Sequence, residues 1–413
     1  MGNSVWFTTT LFAITISILS LLNTAHAFDG GTDPKPQPTL CDELILPAGY
    51  PCSEYVVQTT DGFLLGLQRV SSSSSVRIKN GGERGPPVLL LHGLFMAGDA
   101  WFLNTPEQSL GFILADHGFD VWNFWDWSWQ ELALYDLGEM INYINSVTNS
   151  KLFVVGHSQG TIISFAAFTR PEIVKKVEAA ALLSPITYLD HVSAPLIQKM
   201  VKTHLDQIIA TMGVHQLNFK SDWGTSLLVS LCDTRLSCSD MLSSITDSAY
   251  LSNPTNILLI TTLSFLNAIA ITPLPLSETY QTVQFRNQYS LSLVNGSVSD
   301  DLICSTVIRK GTFSKYDYGK LKNLIEYGSF KPPKFDLSRI PKSLPLWMAY
   351  GGNDALADTT DFQHTLKELP STSEVVYLEN YGHIDFILSL QAKQDLYDPI
   401  ISFFKSTGKF SSI

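Results

Sequence analysis

Apolar positions fall along the chain in two alternating rhythms. "EYVVQTTDGFLLGLQRV" (54–70) reads as two strands joined at Asp61-Gly62, since that pair favours the left-handed turn of a hairpin. A Ser run at 71–75 and a Gly/Pro-rich stretch to Pro87 form a loop, and "VLLLHG" follows. A strand apolar at every position belongs inside a parallel sheet covered on both faces. Residues 108–117 suit a helix, "GFDVW" a strand and residues 128–146 a helix; "LFVVGH", another helix and "AAALLSP" come next. Alternation of this kind predicts an α/β fold with a mostly parallel central sheet flanked by helices. It stops at Pro185. From 185 to 336 the pattern is helical and irregular, and strands resume only with "LPLWMAYGG" and "EVVYLENYGH", separated by a helix at 357–368 and followed by a closing helix from about Phe386. The expected organisation is a core of 28–184 and 337–413, with 185–336 inserted after the sixth strand.

Within this pattern "LFVVGHSQGTIISFAAF" (152–168) breaks from strand to helix through Gly-His-Ser-Gln-Gly. Gly156 and Gly160 lack side chains where strand and helix would collide, which leaves Ser158 at the apex of a strained turn, the nucleophile elbow of an α/β-hydrolase. A serine hydroxyl needs an adjacent base oriented by a carboxylate. In this fold the chain order is Ser, Asp, His. Asp354 lies just past a predicted strand in "AYGGNDALAD" and His383 just past the last one in "LENYGHIDF". Asp358 competes with Asp354, but it reads as part of the following helix; Asp385 is better spaced to cap the closing helix. His157 should project away from the elbow as a packed or hydrogen-bonded histidine, and His92 reads as structural. Oxyanion donors would be the main-chain N–H groups of Gln159, after the nucleophile, and Leu94, after the "LLLHG" strand.

Composition narrows the setting. In 413 residues the apolar content of 45% is ample for a full core, and a net charge of −11 excludes a nucleic-acid partner, which would need a basic surface. Residues 1–27, with "LFAITISILSLL" and a closing "AHA", read as a secretory signal peptide. In a secreted chain the five cysteines suggest the local pairs Cys41–Cys52 and Cys232–Cys238, with Cys304 left over. None has metal-site spacing with a nearby His. Asn295-Gly-Ser297 is the one N-glycosylation sequon and reads as a surface loop.

The stretches "GYPCSEYVVQTTDGFLLGLQRV", "LLLHGLFMAGDAWFLNTPEQSLGFILADHGFDVW", "WSWQELALYDL", "GHSQG", "IRKGTFSKYDYG", "LPLWMAYGGNDALAD" and "YGHIDF" together resemble the acid lipase family, which includes gastric and lysosomal lipases. The resemblance implies a secreted or vacuolar hydrolase of triacylglycerols or sterol esters, with Ser158, Asp354 and His383 as triad and Leu94 and Gln159 at the oxyanion hole. It implies no cofactor, a lipid ester substrate at an oil–water or membrane interface, no obligate protein partner, and a cap with a lid in the insertion. The chain departs from the family's pattern twice. "FDVWNFWDWSWQEL" runs straight through where relatives have a longer loop with Asn-x-Arg-Gly, and the cap has no charged residue between Asp247 and Glu278. Two alternatives follow: an inactive secreted protein with a hydrolase fold, or an acyltransferase using the same triad.

Overall fold

Eight strands form one sheet in the order β1 (Cys52–Gln58), β2 (Leu64–Val70), β4 (Asp120–Trp125), β3 (Pro87–Leu91), β5 (Leu152–His157), β6 (Val177–Leu183), β9 (Leu346–Gly351) and β10 (Glu374–Leu378). The computed structural model describes residues 39–60, 62, 64–72, 85–94, 96–125, 136–203, 216–218, 295–297, 311–315, 317–370 and 373–408. The hairpin is formed by β1 (Cys52–Gln58) and β2 (Leu64–Val70), and Gly62 supplies the positive φ, 98°, that its turn requires. β2 joins β4 (Asp120–Trp125) antiparallel; β3 (Pro87–Leu91), β5 (Leu152–His157), β6 (Val177–Leu183), β9 (Leu346–Gly351) and β10 (Glu374–Leu378) complete a parallel run with β4. A separate two-stranded ladder pairs β7 (Gln216–Asn218) with β8 (Asn295–Ser297).

The uniformly apolar strands are explained by the two cores they separate. Successive side chains of a strand point to opposite faces. Leu89 and Leu91 of β3 accordingly join Trp122, Phe165 and Met348 on one side, while Val88 and Leu90 join Phe153, Trp347 and Phe404 on the other. Helices seal both faces. In α1 (Leu110–Asp116) the first six residues are buried, and α2 (Leu137–Thr148) buries Leu137, Met140, Ile141 and Ile144, the spacing of one helical stripe. α3 (Gln159–Phe168) is buried at all ten positions, a helix sealed in the interior rather than laid on it.

The chain leaves the sheet after β6 and re-enters at β9 directly alongside, in the register Ala180↔Leu346. Between them the described residues include α4 (Pro195–Lys202), the β7–β8 ladder and α5 (Lys320–Tyr327). After β9 comes α6 (Thr359–Glu368). The closing helix differs from the expected one: a single turn, Asp385–Leu388, ends at extended Ser389, and the long helix α7 (Asp398–Thr407) starts later, after a π-helical turn at Lys393–Tyr397. The Tyr397 hydroxyl lies 3.1 Å from the carbonyls of both Phe386 and Ile387, serving acceptors that a continuing helix would have used.

Strand order sets where a crevice opens. From β3 the chain moves outward to β4, then crosses to β5 on the other side, so β3 and β5 flank the point where the winding reverses. Ligand crevices form at the carboxyl ends of strands at such a point. The loop from His92 and the turn at Ser158 both lie there.

Candidate active site

Ser158 sits between β5 and α3 with φ 52° and ψ −115°, a conformation that side-chain-bearing residues rarely adopt. Close approach of three backbones imposes it. A Cβ on Gly156 would lie 2.8 Å from the carbonyl oxygen of Gly160, and one on Gly160 would lie 2.3 Å from that of Leu91. A Cβ on Gly93, in the loop after β3, would lie 3.1 Å from the Ser158 Cβ. The ends of β5 and β3 and the start of α3 can therefore meet only through Gly156 and Gly160.

Ser158, His383 and Asp354, separated by up to 225 residues, come together here. His383 Nε2 is 2.7 Å from Ser158 Oγ, and His383 Nδ1 is 3.0 Å from each carboxylate oxygen of Asp354. All three are buried. Asp354 Oδ1 also accepts the main-chain N–H groups of Leu356 and Ala357, at 3.0 and 2.7 Å, which fix the carboxylate plane. Burial works against its charged form. Burial is the largest single effect, but the charge of the His383 imidazole and the hydrogen bonds from His383, Ser184 and Ala357 together outweigh it, and the carboxyl titrates below its ordinary range.

Three ordered groups make a relay. An ionised carboxylate next to Nδ1 favours the tautomer with its proton there, and that leaves the Nε2 lone pair facing the hydroxyl. Such a contact can take the hydroxyl proton as the oxygen attacks an electrophile. Among the described residues, no group of three or more His, Cys, Asp and Glu side chains is arranged to hold a metal ion.

The chain is 49% identical to triacylglycerol lipase 1 of Arabidopsis thaliana over 96% of its length and 97% of that protein, and 32% identical to triacylglycerol lipase 2 of the same plant over 89% and 87%. The chain belongs to the acid lipase family. Human gastric triacylglycerol lipase is 29% identical across 95% of the chain and 98% of the relative, and residues 41–105 match the partial alpha/beta-hydrolase lipase region. A soluble variant of monoglyceride lipase from Saccharomyces cerevisiae superposes with a TM-score of 0.50 at 14% identity, covering 86% of this chain and 95% of that one. The fold is that of an α/β-hydrolase.

Other residues singled out in this acid lipase sequence have the following places. Gln159 is the first residue of α3, where no preceding turn offers its N–H an acceptor, and Leu94 follows Gly93 in the loop against the elbow. Asp358 is the N-cap of α6 rather than part of its interior: its side chain accepts the N–H of Thr360 at 2.6 Å. Asp385 does not cap the closing turn, whose N-cap is Ile384; its carboxylate accepts the Gly382 N–H at 2.8 Å and shapes the loop before His383. His92 bonds the Gly93 carbonyl at 2.9 Å and stacks on Phe124, and burial lowers its pKa to about 4. Cys41 and Cys52 form a disulfide. Cys232, Cys238, Cys304, the signal peptide, the run-through after Trp125 and the uncharged cap stretch lie outside the described residues. The sequon at Asn295 lies in a strand, β8, because its backbone pairs with residues 216–218.

Ser184 is the site residue that sequence reading missed. Ser184 falls at the end of the strand read in "AAALLSP", and nothing local signals that its hydroxyl reaches Asp354 and His383.

Proposed function

We propose that this chain hydrolyses lipid esters through an acyl-enzyme on Ser158. As the Ser158 oxygen adds to the ester carbonyl, its proton passes to His383 Nε2; His383 returns that proton to the departing alcohol. Water, deprotonated by the same nitrogen, then adds to the acyl carbonyl; as the acyl-serine bond breaks and the fatty acid leaves, His383 returns the proton to Ser158 Oγ. Asp354 stays ionised and stabilises the imidazolium formed in each half. The N–H groups of Gln159 and Leu94 receive the charge that develops on the carbonyl oxygen. The observation carrying this reading is the continuous contact from Ser158 Oγ through both nitrogens of His383 to Asp354. The names of the relatives, triacylglycerol lipases among them, favour an acylglycerol as the ester.

Residues 1–27 direct the chain to the secretory pathway, for an extracellular, vacuolar or lysosomal destination. Residues 185–336 serve as a cap, and their uncharged stretch serves in lipid recognition. Among the described residues no helix is long and apolar enough to cross a membrane.

Labelling of the purified protein by a fluorophosphonate tests the reading, since it needs nucleophile, base and oxyanion donors at once. The expected result is stoichiometric labelling that Ser158→Ala abolishes. Labelling that survives Ser158→Ala, or an unlabelled folded wild-type protein, overturns it.

A further inference from the structure

β6 ends at Leu183, and the next residue, Ser184, takes φ 50°. A residue with a Cβ is disfavoured there, and glycine would relieve the cost. Ser184 is completely buried, and its N–H donates to the Ala349 carbonyl of β9 at 2.9 Å, so its position is set by the sheet itself. Its hydroxyl lies 2.5 Å from Asp354 Oδ2 and 2.8 Å from His383 Nδ1. Strain of this kind persists where the surroundings over-determine it, and here it delivers a hydroxyl into the gap between carboxylate and imidazole.

Only one proton arrangement satisfies all three groups. The ionised carboxylate can only accept, and the Nδ1–H of the tautomer that leaves Nε2 free can only donate. The Ser184 hydroxyl must then donate to Asp354 Oδ2, while its oxygen lone pair shares the Nδ1–H. The two main-chain N–H groups hold Oδ1; Ser184 is the matching hold on Oδ2. We propose that Ser184 is a positioning residue of the hydrolytic site: it locks the rotation of Asp354 and keeps the Nδ1–H tautomer of His383 aimed along the relay. This rests on the reading of Ser158, His383 and Asp354 as the catalytic group.

The test uses purified full-length protein and p-nitrophenyl butyrate, a soluble ester that reports the chemistry without an interface. Ser184→Ala deletes the hydroxyl, and Ser184→Gly deletes it while tolerating the positive φ, so that one variant is free of backbone strain. Each is measured alone and combined with Asp354→Asn, with thermal midpoints recorded. A charge-assisted hydrogen bond is worth enough to change a rate about tenfold or more. The expected result is a kcat lowered roughly tenfold with KM unchanged in both single variants, and a further loss below about twofold when Asp354→Asn is already present, as for residues acting as a unit. An undiminished kcat in folded Ser184→Gly, or the same tenfold loss on top of Asp354→Asn, overturns the proposal. Parental activity in Ser158→Ala or Asp354→Asn would instead sink the underlying catalytic reading, and Ser184's role with it.

Discussion

The side chain of His157 holds the main chain of His383: Nε2 lies 2.9 Å from the His383 carbonyl oxygen, and the two rings sit 5.1 Å apart. The residue just before the nucleophile thus anchors the loop that carries the base. Nε2 must be the protonated nitrogen, since a carbonyl only accepts. His157 is only 1% exposed, and burial, reinforced by neighbouring His383, pushes its pKa down to about 3.

A depressed histidine pKa makes stability depend on acid. The unfolded imidazole takes a proton below about 6.5, while the folded one stays neutral down to about 3. The contribution of neutral His157 is therefore complete above the unfolded value and lost as pH falls towards the folded one, at up to ~1.4 kcal/mol per pH unit. Denaturant unfolding at pH 7 and pH 4.5 checks this: His157→Asn should lose less stability between the two pH values than the parent does. Its kcat should also fall at pH 7, because the His383 loop loses its anchor. An identical pH dependence in both proteins would refute the linkage.

The two nearby carboxylates should separate cleanly by assay. Asp354 touches the imidazole, so Asp354→Asn should lower kcat by about 10⁴-fold while leaving the fold intact, as when a triad loses its orienting carboxylate. Asp358 caps α6, so Asp358→Ala should cost about 1 kcal/mol of stability with kcat near the parental value. Ester turnover and urea unfolding on the same two variants decide it; a reversed pattern would move the orienting role to Asp358.

How far the sequence spoke follows the range of the interactions. β3 and β5 were legible because burial on both faces writes an unbroken apolar run, and the elbow because three backbones can meet at Gly156 and Gly160 only without side chains. Asp354 and His383 were legible through their places after successive strands. Ser184 and the anchoring contact of His157 were not. Both depend on groups 170 or more residues away, and no local pattern encodes a hydroxyl pointing across to another strand's loop. The break in the closing helix was hidden although its cause is near in sequence, since it answers to the hydroxyl of Tyr397 and not to a glycine or proline at Ser389.

Substrate preference should respond to charge in the proposed cap. Residues 257–276 carry no charged side chain, and apolar stretches of that kind, once exposed, mark lipid-facing surface. Leu258→Asp with Leu263→Asp should depress hydrolysis of emulsified triacylglycerol far more than that of a short soluble ester. Equal loss on both substrates would indicate misfolding; no loss on either would remove the stretch from lipid recognition.

Stability should depend on one ion pair at the amino end of the sheet. Arg69 of β2 grips Asp120, the first residue of β4, through Nε at 2.8 Å and a terminal nitrogen at 2.6 Å; the two side chains are only 9% and 1% exposed. The Trp122 Nε1–H also reaches Asp120 Oδ2, at 3.1 Å, and its ring lies 4.6 Å from the Arg69 guanidinium. The pair bridges the antiparallel β2–β4 ladder, where the hairpin attaches to the parallel run. Its net worth is small, because desolvation offsets the attraction, but removing one partner strands a buried charge at a cost of about 3–5 kcal/mol. Arg69→Met should therefore destabilise by that order in urea unfolding. Adding Asp120→Leu should recover much of the loss, since the stranded carboxylate disappears. Asp120 begins its strand whereas Ser158 follows the end of β5, so below its melting temperature the single variant should keep a near-parental kcat. A single variant as stable as the parent, or a double variant worse than the sum of its parts, would show that the hairpin is held by its apolar contacts and not by this pair.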